Sequence, residues 1–155
     1  MKAPARNYDV AALRRYLRGH IPLAAAMDID VVAADERAVR IAAPLAPNIN
    51  LHETAFGGSV VSLAILASWS LLHLRLQADG IGNRLVIQRN VITYERPIAG
   101  AFSALASLAT GEAWKPFVQL LQRRGKARIA VHAKLEYDGA IAARFEGEFV
   151  ALSAG

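Results

Sequence analysis

From Asn48 to Leu72 the chain reads NINLHETAFGGSVVSLAILASWSLL: a polar loop, two adjacent glycines and then a long run without charge. Asn50, Glu53 and the pair Gly57–Gly58 are the residues here whose types could do chemistry. Glycines at the start of a helix present backbone amides unshielded by side chains, and such unsatisfied amides attract negative charge. An upstream asparagine can add a side-chain donor, and a glutamate can take a proton from water. The same glycines suit a tight turn packed closely on other backbone. On these residues alone both readings stay open.

Other chemistries are narrowed by composition. The chain has no cysteine, which excludes disulfides, thiolate metal sites and cysteine nucleophiles. His20, His52, His73 and His132 lack compact ligand spacing, so neither a metal nor another cofactor is expected. Ser59, Ser68 and Ser70 have no histidine and acid placed to form a triad, and helical serines usually bond back to the backbone. His73 reads as a partly buried structural histidine, and His132, on the polar side of a strand, as a solvated one.

The charge of +5 invites a nucleic-acid reading, but the basic residues are scattered apart from Arg123, Arg124, Lys126 and Arg128. No recognition signature accompanies them, so no nucleic-acid partner is expected. That cluster reads either as a solvated helix end favoured by the helix dipole or as a grip on the phosphates of a small anionic ligand.

The elements that must position these residues follow from periodicity. At 155 residues, 54% hydrophobic and 20% charged, the chain fits one globular domain spanning 1–155. Asn7 can cap a short helix over about 7–19, with Val10, Leu13 and Leu17 on one face and Gly19 and Pro22 as the stop. Met27, Ile29, Val31 and Ala33 alternate, as do Arg37, Val39, Ile41 and Ala43, which predicts a hairpin pairing 33 with 37. The run from Val60 to Leu74 is shorter than the roughly 18–20 residues of a membrane span and is interrupted by serines and His73. A helix over about 58–77, apolar on nearly every side, is therefore expected to be wrapped by its own protein. The N-terminus lacks the apolar run of a secretory signal, so no membrane association and a cytoplasmic location are expected.

Strands are predicted over Leu85–Tyr94 and Ala101–Thr110. A short surface helix follows in WKPFVQLLQRRG, with Pro116 in its first turn and Gly125 at its C-terminal cap. A final hairpin pairs the strand Lys126–Tyr137 with Ile141–Phe149. Aligning its two apolar faces calls for a three-residue loop, Tyr137 to Gly139, which pairs 135 with 141 and leaves Gly139 left-handed. Six strands with one apolar face and one apolar helix imply an α+β fold, a curved antiparallel sheet of about six strands wrapped around the long buried helix.

With the stretch from PNIN through TAFGGS into that helix, the sequence resembles the hotdog-fold thioesterases, and most of all the thioesterase-like domain at the C-terminus of YiiD-type acetyltransferase fusions. YERPIAG is similar to the proline turn between the third and fourth hotdog strands, and YDGAIAARFEGEFVAL to the closing hairpin. The resemblance covers about residues 20–152. It implies hydrolysis of an acyl-CoA or acyl-carrier-protein thioester by a homodimer or a dimer of dimers, without a cofactor. It makes Gly57 or Gly58 the amide that binds the thioester oxygen, with Asn50 as side-chain partner and Phe56 and Ser59 beside the substrate. The cluster Arg123, Arg124 and Lys126 would then meet the phosphates of coenzyme A.

The departures bear on mechanism. Phenylacetyl-CoA-type hotdog enzymes have histidine where Phe56 stands and a helix carboxylate where Ile65 stands, and another group has aspartate where Asn48 stands. This chain has none of the three, and its central helix carries no carboxylate. The general base must then come from the loop, where Glu53 is nearest, or from another strand across a dimer interface, or be absent. Absence would make the protein a non-catalytic acyl-thioester binder. A hotdog hydratase or dehydratase ranks third, since only His52 lies near the helix.

Overall fold

The computed structural model describes residues 3–154. Helix α1 (Val10–His20) is capped by Asp9, whose Oδ1 accepts the Ala12 amide at 3.1 Å. Asn7, the expected cap, instead forms a β-bridge with Asp35. Asp9 wins because its extended backbone lies one residue before the first helical turn, where a carboxylate reaches a free amide and also complements the dipole. Pro22 does not simply end the helix; it occupies the first turn of a second one, α2 (Pro22–Ala26). The first strand consequently starts later than the alternation suggested.

Strands β1 (Asp30–Ala34) and β2 (Val39–Ala43) form the expected hairpin in a different register. Val31 faces Ile41 and Ala34 faces Val39, with a bulge between Val31 and Ala33. The extra residue turns Ala34 inward and leaves Ala33 exposed, reversing the predicted parity at the end of the strand. Asp35 shapes the turn: its Oδ1 accepts the amides of Arg37 and Ala38 at 2.7 and 2.9 Å.

The remaining elements are α3 (Gly57–Ala78), β3 (Asn83–Tyr94), β4 (Phe102–Leu108), α4 (Trp114–Arg124), β5 (Lys126–Tyr137) and β6 (Ala140–Ser153). All six strands form one antiparallel sheet in the order β1-β2-β4-β5-β6-β3. Helix α3 packs against five of these strands, all but the edge strand β1. Leu63, Ala64, Ala67 and Leu71 are fully inaccessible and share one core with Ile41, Ala104, Val131, Leu135 and Phe149. Burying each such leucine contributes about 2 kcal/mol, which is why the helix can dispense with a polar face on that side. This is the hotdog arrangement.

The helix is not wrapped on every side. Ser62, Ile65 and Trp69 form a half-exposed stripe, flanked by Ile21 and Leu23 of the α1–α2 region across a mainly apolar pocket of about 320 Å³. By length and composition α3 could cross a membrane, but just over half of its most apolar window is buried inside the protein.

The closing hairpin departs from expectation in an instructive way. Its turn has two residues, Asp138 (φ 53°) and Gly139 (φ 73°), so Tyr137 pairs with Ala140. Gly139 is left-handed as expected, but the apolar faces are brought into line by a bulge that sets Leu135 opposite Ala143. The predicted pairing of 135 with 141 is therefore displaced by two residues while the inward parity is kept. In α4, Gly125 caps the C-terminus at φ 73° with its amide on the Leu121 carbonyl at 2.8 Å.

Candidate active site

The loop before α3 is tied down at every step. Asn48, 2% exposed, donates from Nδ2 to the carbonyls of Met27 (3.0 Å) and Pro44 (2.8 Å), and its own carbonyl accepts the Phe56 amide at 2.7 Å. The Asn50 side chain is spent inside the loop: Oδ1 accepts the amides of His52 and Thr54, and Nδ2 donates to Thr54 Oγ1 at 2.9 Å. Glu53 sits at the bend with a positive φ of 64° and an exposed side chain. The Ala55 amide crosses to the Ile98 carbonyl at 2.8 Å.

These ties deliver Phe56 in extended conformation to the N-cap of α3, with no side chain capping the helix. The amides of Ser59 and Val60 turn back onto the Phe56 carbonyl. Those of Gly57 and Gly58 have no partner among the described residues, and both glycines line a cleft of about 560 Å³. The sequence thus leaves two aligned donors at the positive end of a 22-residue helix. A Cβ at Gly58 would lie 2.5 Å from Cε1 of the exposed Phe56 ring, so a larger residue there would push that ring aside.

The opposite wall is built by the YERPI stretch that follows β3. The Tyr94 hydroxyl donates to the Gly57 carbonyl at 2.9 Å, and burial pushes its phenol pKa up, which keeps it an O–H donor. Glu95 lines the cleft and accepts Arg144 Nε at 2.8 Å through Oε1. Arg96 donates to the carbonyls of Tyr137, Ala140 and Ile141, clamping the wall to the β5–β6 turn. Pro97 and the buried Ile98 complete it.

Of the residues singled out in the sequence, the structure brings Gly57 and Gly58 to one cleft and places Phe56, 57% exposed, over Gly58. Asn50 braces the loop behind them. Glu53 and Ser59 do not line the cleft. Arg123, Arg124 and Lys126 lie near the far end of α3: Trp114 at the start of α4 binds Asp79 just past α3, and Ser153, paired with Asn83, holds Gly125. A helix of 22 residues spans about 33 Å, so the cluster lies toward the end of α3 remote from the glycine amides of its own chain. Two residues of the cleft's wall, Tyr94 and Glu95, were visible in the sequence only as part of a proline turn.

A family model described as "Putative thioesterase (yiiD_Cterm)" matches residues 10–153. The chain belongs to this family. A protein of unknown function from Chlorobaculum tepidum TLS has a similar structure at TM-score 0.88 and 27% identity, covering 94% of each chain. A "putative thioesterase" from Shewanella oneidensis follows at TM-score 0.82 and 29% identity, covering 92% of this chain and 96% of that one. A thioesterase from Haemophilus influenzae, at TM-score 0.75 and 12% identity over 96% and 94% of the two chains, shares the fold. Family membership makes the chain an acyl thioester hydrolase of the hotdog class.

Proposed function

We propose that the chain hydrolyses acyl thioesters of coenzyme A or of acyl carrier protein in the cytoplasm, as a dimer or a dimer of dimers. The observation that carries the reading is the pair of unpartnered amides, Gly57 and Gly58, opening into a cleft at a helix N-terminus. Attack of water on a thioester carbonyl builds negative charge on its oxygen. Preorganised amides aimed at that oxygen stabilise the transition state more than the ground state, which is the condition for catalysis. The dipole of α3 acts in the same sense. Asn50 contributes by holding the loop that fixes Phe56 and the two glycines, since its own amide group is engaged there.

The test is a thiol-release assay across short, medium and long acyl-CoAs and acyl-carrier-protein thioesters. Turnover on at least one class is expected. Tight binding without thiol release would replace this reading with that of an acyl-thioester-binding protein.

A further inference from the structure

We propose that the apolar pocket between α3 and the α1–α2 corner holds the acyl chain of the substrate, entered past Phe56 and closed by Trp69; the proposal rests on the hydrolase reading above. The pocket, of about 320 Å³, is lined by Ile21, Leu23, Ser62, Ile65, Leu66 and Trp69. None of these side chains carries a charge, Ser62 brings one hydroxyl, and the Trp69 N–H is already spent on the Leu85 carbonyl at 3.2 Å. A phosphate or a carboxylate would lose its water there without a partner, whereas a methylene gains from the transfer. Apolar side chains scattered singly over a surface need no explanation, but Leu23, 55% exposed, rims a concavity whose other walls are also apolar.

The pocket continues the reaction cleft along one face of α3. Gly58, Ser62, Ile65 and Trp69 recur at the three- and four-residue steps that align side chains on one side of a helix. Gly58 lines the cleft and the other three line the pocket. The Phe56 ring lies where a Cβ of Gly58 would project, so it stands at the head of this stripe, exposed and outside the core. From Gly58 to Trp69 the helix rises about 16 Å, and an extended alkyl chain advances roughly 1.25 Å per carbon, so the stripe accommodates about twelve carbons. At a liquid-like share of about 30 Å³ for a group the size of water or a methylene, the pocket volume gives about ten. Both measures select medium-length, unbranched chains. The walls are fixed in advance: the Ile21 amide bonds the Leu17 carbonyl and the Ile21 carbonyl accepts the Ala24 amide, both at 2.9 Å. Trp69 is stacked on His73, 4.5 Å between centroids, which closes the far end.

The experiment uses the pantetheine arm that coenzyme A and acyl carrier protein share. Hydrolysis-inert pantetheine thioethers bearing 2-oxobutyl, 2-oxododecyl or 2-oxooctadecyl groups are titrated calorimetrically into wild type, Ser62→Phe, Leu23→Ser and the remote control Leu120→Ser, and kcat/KM is measured for butyryl and decanoyl thioesters. Each methylene buried in the pocket strengthens binding by up to about fourfold, so the 2-oxododecyl compound should bind at least about a hundredfold more tightly than the 2-oxobutyl one, with no further gain at 2-oxooctadecyl. Ser62→Phe fills the pocket one turn beyond Gly58 and should cut the decanoyl-to-butyryl ratio of kcat/KM at least about tenfold; Leu23→Ser, an exposed position, should lower it about fourfold, and Leu120→Ser should keep the wild-type ratio. Affinity independent of chain length, or a length preference that Ser62→Phe and Leu23→Ser both leave intact, overturns the assignment. If those variants instead split an oligomer in sedimentation while the length preference stays, the face belongs to a second copy of the chain and the assignment also fails. A wild type that binds the 2-oxododecyl compound with this length dependence but releases no thiol from any thioester overturns the hydrolase reading and leaves the acyl pocket standing.

Discussion

Replacing a glycine by a larger residue blocks the cleft but cannot say whether the amide or the space mattered. Gly57→Pro can. Gly57 is the first residue of α3, where proline's fixed φ suits the helix and its missing N–H costs no intrahelical bond. Phe56 before it already has the extended backbone a following proline demands, and a Cβ at Gly57 would meet the Tyr94 hydroxyl at an ordinary 3.4 Å. The substitution thus deletes one donor and leaves the helix start in place. Losing a single oxyanion donor costs about 3 kcal/mol in the transition state, so kcat should drop about a hundredfold with the melting temperature shifted by only a few degrees. An unchanged kcat would assign the glycine pair to packing. That pair was legible in the sequence because its chemistry is local: two glycines, a helix start, an apolar run. Tyr94 was not, because only the packing of the β3 end across the start of α3 brings residue 94 to residue 57, and no spacing in the chain records that approach.

Helix α1 rests on α3 through a cluster of stacked rings: His73 packs against both Tyr16 and Trp69, with centroids 5.1 and 4.5 Å away. Burial of His73 in this stack pushes its pKa below the ordinary 6.5. The unfolded chain therefore binds a proton at this site more readily than the folded one. Above about pH 6.5 both states are neutral here and nothing is lost; as pH falls from there toward the lowered folded value, stability declines. His73→Phe keeps a ring in the stack and removes the proton site, so the loss of melting temperature between pH 7.5 and pH 5 should be smaller than in wild type. An equal loss would show that other groups carry the acid dependence. At this scale the alternation of apolar residues was enough to find all six strands and the central helix, yet both predicted hairpin registers were displaced. Each displacement combines a turn of a different length from the expected one with a bulge, at Val31–Ala33 and near Leu135. Turn length and a bulge each change the partner of every residue beyond them, and at Ala33–Ala34 the inward side as well, and apolar alternation records neither. Helix α2 escaped notice because Pro22 is at once a plausible stop and a favoured start.

The sheet ends in two edges, and they are treated differently. At the Ala34 end of β1 residues 6–8 cover the edge: the Tyr8 amide bonds the Ala34 carbonyl, Asn7 bridges Asp35, and the Glu36 amide bonds the Arg6 carbonyl. Along the twelve residues of β3, pairing is to β6 alone; Trp69 Nε1 covers the Leu85 carbonyl, and Val86 and Val91 lie exposed at 43% and 51%. A long, partly apolar, open edge is a liability in a monomer and a ready interface in a dimer. We therefore expect two copies to pair through β3, whose far end is the Tyr94–Glu95 wall of the cleft, so that the partner subunit lies beside the site. Antiparallel pairing about a two-fold axis sets the strand against its own copy, so a charge added to one chain meets the same charge on the other. Changing Val86 and Val91 together to lysine should convert the protein from dimer to monomer in sedimentation at micromolar concentration without unfolding it, because both side chains are already half in water. Turnover per chain should fall with it if the partner completes the cleft. A wild-type chain that sediments as a monomer at that concentration would remove the interface, and would leave the two glycine amides to act within a single subunit.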